Sequence, residues 1–102
     1  MSMRRRRYGA ILLICGLAAT ATGSARAAPT FEPGFDRTGG DYASLAIPRP
    51  RPRLCQDACL RDDHCLAWTF VRPGILGPMA ICWFKNPIPA TRPSDCCVSG
   101  LK

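Results

Sequence analysis

Histidine is nearly missing from this chain: its 102 residues contain one, His64. A catalytic Cys–His pair needs a thiolate beside the imidazole, and the cysteines near His64 fit a disulfide framework better. A zinc set of Cys55, Cys59, His64 and Cys65 would use the same sulfurs. A turn residue beside Asp62-Asp63 is the simpler reading of His64. Also lacking are a phosphate-binding glycine loop, a nucleophile elbow, a glycosylation sequon and any internal repeat. Asp57, Asp62 and Asp63 gather near a helix end without a partner for acid–base work, as solvated charges do. These absences remove the common enzyme classes. The expectation is a non-enzyme with no metal and no cofactor.

A run long enough to span a membrane is lacking too. The apolar stretch from Tyr8 to about Ala21 holds about 14 residues, against about 20 for a spanning helix. Arg4-Arg5-Arg6-Arg7 precedes it and Ala25-Arg26-Ala27 follows. That is the order of a secretory signal peptide, with cleavage expected after Ala27; an uncleaved anchor is the alternative. Cys15 follows Ile14 in mid-run, which does not fit lipidation. The arginines lack the polar and aromatic context of twin-arginine export, so general secretion is expected. The chain divides into a signal peptide (1–27), a flexible lead-in (28–34) and one domain (35–102). It is expected to be secreted or periplasmic, with no stable membrane span after cleavage.

The net charge of +7 belongs mostly to the signal. Arg4 to Arg7 and Arg26 leave with it, so nine basic residues face seven acidic ones and the mature chain carries +2. That charge and an exported location argue against a nucleic-acid partner.

What is present is cysteine and proline. A mature chain of 75 residues rarely buries enough apolar surface to be stable without staples. An exported chain obtains them as disulfides. Cys55, Cys59, Cys65, Cys82, Cys96 and Cys97 form an even set, and counting alone does not fix their pairing.

Residues 35–40 are turn-rich, and Asp41 to Ile47 alternates loosely as a first strand, although Tyr42 and Leu45 differ in parity. The alternate prolines Pro48, Pro50 and Pro52 force an extended segment, read as a stiff connector or as a basic docking arm with Arg49, Arg51 and Arg53. Leu54 to Arg61 has helical spacing, with Cys55 and Cys59 one turn apart on one face. Cys65 to Val71 is the strongest strand, apolar on both faces and so central in the sheet. Met79 to Lys85 follows after a proline–glycine hairpin, Arg72 to Pro78. Asn86 to Asp95, with three prolines, is a loop. Cys96 to Leu101 is the last strand. The expected class is α+β: a small disulfide-stabilised domain, one helix packed on a curved antiparallel sheet.

Cys55–Cys82 and Cys59–Cys65 are compatible with a helix lying across two neighbouring strands. In the loop-entropy account the 28-residue loop stabilises by roughly 3–4 kcal/mol and the 7-residue loop by roughly 2 kcal/mol. The motifs Cys55-Gln56-Asp57-Ala58-Cys59, His64-Cys65-Leu66-Ala67-Trp68-Thr69-Phe70, Cys82-Trp83-Phe84-Lys85 and Val98-Ser99-Gly100 resemble the PAN/apple domain family, and Phe35-Asp36 with Gly40-Asp41-Tyr42 fits its opening. The resemblance covers about Phe35 to Lys102. It implies a helix cradled by a curved sheet and anchored by those two bridges. Apple domains also bridge their two ends, but no cysteine lies in 28–54. Cys96-Cys97-Val98-Ser99-Gly100 instead resembles bacterial secreted PAN-type modules. For Cys96 and Cys97 three states stand: an adjacent bridge, a different pairing within the domain, or free or intermolecular thiols. An adjacent bridge closes a strained, easily reduced ring.

The resemblance implies a binding module for a protein or carbohydrate at the bacterial cell envelope, with the two proline-bearing loops supplying contacts. Trp83 alternates away from the helix and is the candidate anchor; sheet packing is its plainer role. Arg72 and Arg92 are candidates for an anionic ligand, or plain surface charge. Two other functions compete: thiol chemistry at Cys96-Cys97, and inhibition of a hydrolase by a proline-rich loop.

Overall fold

The computed structural model describes residues 28–102; the expected signal segment and Cys15 lie outside the described residues. The elements are β1 Glu32–Asp36, β2 Asp41–Ile47, helix α1 Pro52–Leu60, β3 Ala67–Val71, β4 Ala80–Lys85 and β5 Arg92–Leu101. The five strands form one antiparallel sheet in the order β1-β5-β3-β4-β2. The α+β class and the single helix on an antiparallel sheet agree with the sequence reading.

Pro52 opens α1, where a missing N–H costs nothing. At nine residues the helix is too short to stand alone in water, and the core holds it. Cys55 and Cys59 are fully buried and bonded to Cys82 of β4 and to Cys65 just before β3. Trp68, Phe70, Cys82, Phe84, Ile47 and Ala80 complete the core between helix and sheet. Asp62 shapes the turn after the helix: its carboxylate accepts from the His64 N–H and the Tyr42 hydroxyl, each at 2.9 Å. Those bonds, the His64 one foremost, hold the Asp62 carboxyl below its ordinary range. His64 is an exposed turn residue.

Strand β3 lies between β5 and β4 and is buried throughout, as its two apolar faces require. Leu66, expected to share the Trp68 face, precedes the strand and is exposed. In β2 a register shift between Asp41 and Ala43 explains the parity conflict of Tyr42 and Leu45.

Two further boundaries differ from the sequence expectation by more than a residue or two. The lead-in 28–34 is not free of structure: β1 begins at Glu32, and Thr30 Oγ1 accepts from the Leu101 N–H at 2.8 Å. Pro33 and Gly34 hide this strand because they break alternation, yet an edge strand tolerates both. β5 begins at Arg92 rather than Cys96, with Pro93 opposite Phe35 on the same edge pair. The β1–β5 pairing thereby joins the two ends of the domain, where the apple pattern uses a third bridge.

The two edge strands, β1 and β2, are joined only by residues 37–40. Five chain steps from Asp36 to Asp41 reach at most about 18 Å. Four flat inter-strand spacings measure about 19 Å, before any offset along the strands. The sheet therefore curls until its edges approach.

Candidate functional site

Because α1 covers one face of the sheet, alternation sends Thr69 and Val71 of β3, Trp83 and Lys85 of β4 and Cys97 of β5 to the other. The β1–β2 connection crosses that second face. Between them lies a cavity of about 220 Å³. Its floor is Thr69, Val71, Trp83, Lys85 and Cys97, and Cys96 adjoins them. Ile75 and Leu76 of the β3–β4 hairpin form an apolar wall, and Asp36, Gly39 and Asp41 a polar one. Ile75 is 46% and Leu76 58% exposed, so the apolar wall opens to solvent at the mouth.

The polar wall is held in place by the residues of the floor. Lys85 is buried, yet its ammonium donates to the Gly39 carbonyl at 3.1 Å and to the Asp41 carboxylate, with which it forms an ion pair. A buried ammonium requires such partners. Within the floor, the buried hydroxyl of Thr69 shares a 2.7 Å hydrogen bond with that of Ser99 across β3 and β5. The start of the crossing is fixed by Arg37, whose guanidinium donates to both carboxylate oxygens of Glu32, at 2.9 and 2.7 Å, and to the Pro89 carbonyl at 2.6 Å. The Arg37 hydrogen bond holds the Glu32 carboxyl below its ordinary value, against the opposing effect of burial.

Of the residues singled out in the sequence, Trp83 is half-buried in this cavity. Cys96 and Cys97 are bonded to each other and line the same space. Cys55–Cys82 and Cys59–Cys65 lie in the core on the helix side. Arg72 and Arg92 are exposed and outside the cavity lining. Arg72 donates its backbone N–H to the Cys96 carbonyl at 3.1 Å, while Arg92 stands opposite Asp36 at the far end of β5.

The disulfide-pinned helix across β3 and β4 finds its counterpart among known families. A family model described as PAN domain matches residues 35–85, half of the chain. The chain belongs to the PAN domain family. No curated protein and no solved structure matches it. PAN domains are generally non-catalytic modules that bind proteins or carbohydrates.

The matched stretch of this PAN domain carries the four core cysteines, Trp83, Lys85 and the hairpin with Ile75 and Leu76. Lys85, Asp41 and Asp36 line the cavity without having been picked out in the sequence reading, whereas Ile75 and Leu76 lie in the Arg72 to Pro78 loop that it expected to supply contacts. Lys85 had a signal, since it shares the parity of Trp83 in one strand. The two aspartates had none, because their place depends on the pairing of distant strands and on the crossing of residues 37–40. The bonded cysteines belong to an oxidising compartment rather than the cytosol. Among the described residues no helix is long and apolar enough to cross a membrane.

Proposed function

We propose that this PAN domain is a non-enzymatic binding module of the bacterial cell envelope, exported by a cleaved signal peptide. It seats part of a protein or carbohydrate ligand against Trp83 on the sheet face that the helix leaves open. The observation that carries this reading is a half-buried indole in an open cavity with exposed apolar residues on one side and carboxylates on the other. An aromatic plane with nearby hydrogen-bond acceptors suits a sugar ring or an amphipathic protein side chain. The cavity, at about 220 Å³, is smaller than the roughly 300–1,000 Å³ of pockets that enclose a whole small molecule, so one ring or one side chain enters and the rest of the ligand lies across Ile75 and Leu76.

A Trp83→Ala variant is expected to stay folded, because Trp83 is outside the helix-side core. Its affinity should fall by about 2 kcal/mol or more, roughly thirtyfold, as for an aromatic anchor. Glycan-array binding and pull-down from envelope extract check this, with circular dichroism as the folding control. Capture equal to that of the unaltered chain would overturn the Trp83 assignment.

A further inference from the structure

We propose that Cys96–Cys97 is a selectively reducible thiol-exchange site whose redox state sets the shape of the cavity. The coupling to ligand rests on the binding reading above; the reducibility does not.

Three observations carry it. The first is place: Cys96 and Cys97 line the cavity, with Cys96 partly exposed. Cys55, Cys59, Cys65 and Cys82 are all at 0% exposure inside the core. Thiol–disulfide exchange requires access to a sulfur, and of these six cysteines Cys96 alone is not buried. The second is covalent: the bridged residues are neighbours in sequence, so the bond closes a small ring through their own peptide, and their Cα atoms stand 3.7 Å apart, a spacing the chain itself fixes below the roughly 4.4–6.8 Å that ordinary disulfides span.

The third is the backbone around the bridge. Pro33 pairs with Val98 and Phe35 with Pro93, so residues 94–97 of β5 stand against Gly34 alone. This is a bulge on the edge pair, and Gly34, at φ 78°, supplies the left-handed turn that β1 needs there. On its other side the same segment is pinned to β3: Cys97 pairs with Val71, and the Cys96 carbonyl accepts from the Arg72 N–H. The bridge closes the bulge, and the bulge forms one end of the cavity beside Trp83. Opening the ring frees two residues of β5 to rotate, and the floor at Val71 and Cys97 moves with them.

The chemistry balances with a low-molecular-weight thiol as reductant. Its thiolate attacks the Cys96 sulfur, the bond between Cys96 and Cys97 breaks, and Cys97 leaves as a thiolate that takes a proton from water. A second thiol attacks the mixed disulfide and releases Cys96 as a thiol. Two thiols become one small disulfide, and the protein gains two electrons and two protons.

The test is graded reduction of the folded mature chain with dithiothreitol, followed by alkylation and peptide mass mapping. Two labels are expected, both at Cys96 and Cys97, at roughly tenfold lower reductant than the four core cysteines require. Trp83 fluorescence should change at the same midpoint, and a Trp83→Phe variant should lose that change. Labelling of core cysteines at equal or lower reductant, or no label at Cys96 and Cys97 before the domain unfolds, overturns the site. Labelling without any change at Trp83 overturns the coupling to the cavity. Neither readout uses a ligand, so failure here leaves the binding assignment of Trp83 standing, and failed capture by Trp83→Ala leaves this site standing.

Discussion

Replacing Cys55 and Cys82 together by alanine is expected to remove a third or more of the stability of the domain. The bond joins residues 27 apart, and the loop-entropy account gives it roughly 3–4 kcal/mol. A domain of this size has a net stability of only about 4–11 kcal/mol. The loss is larger than for Cys59–Cys65, which closes a loop of sequence separation 6. It also releases α1 from β4, and a nine-residue helix does not persist without its packing. A thermal melt followed by circular dichroism should show the midpoint lower by about 15 to 30 °C, with helical signal lost first. A shift of less than about 5 °C would mean that packing alone holds the helix.

Gly100→Ala is expected to have the next largest effect, although it adds one methyl group. Gly100 of β5 lies flat against Trp68 of β3, and a Cβ there would come within 2.6 Å of the indole ring and collide with the Thr30 carbonyl. Neither neighbour has room to yield. Trp68 is fully buried with Phe31 against its ring, and the Thr30 N–H is tied to the Leu101 carbonyl. Overpacking of this kind costs about 1–3 kcal/mol and sometimes more, so urea denaturation should show a loss of about 2–3 kcal/mol. A Trp68→Phe change made in the same chain should return part of it, since the smaller ring leaves space for the methyl group. An unchanged unfolding midpoint for Gly100→Ala would mean that β5 does not run against Trp68.

These two positions show what the sequence discloses and what it does not. Cys55 and Cys59 announce themselves by helical spacing, and the alternation through Trp68, Phe70, Cys82 and Phe84 marks the strands they join. Local periodicity was enough for those because the same residues make both the pattern and the core. Gly100 carries no such signal: its need for a bare Cα arises from Thr30 and Trp68, which are distant in sequence. Strand β1 was hidden by Pro33 and Gly34, and the first half of β5 by Pro93, because residues that suit an edge or a bulge are those that erase alternation. Trp83 was legible as pointing away from the helix. The cavity it lines was not, since its polar wall depends on a four-residue connection that makes the sheet curl. Arg72 and Arg92 are chemically apt for an anion, but the strands carry them to separate places.

Ligand is expected to enter on the open face of the sheet, against Trp83. Chemical-shift mapping of the isotope-labelled mature chain, with the ligand selected by array or pull-down, tests it most directly. The largest amide and indole shifts are expected on Val71, Ile75, Leu76, Trp83, Lys85 and Cys97. Shifts centred on α1 and its exposed Leu54 and Leu60, with Trp83 unmoved, would contradict it.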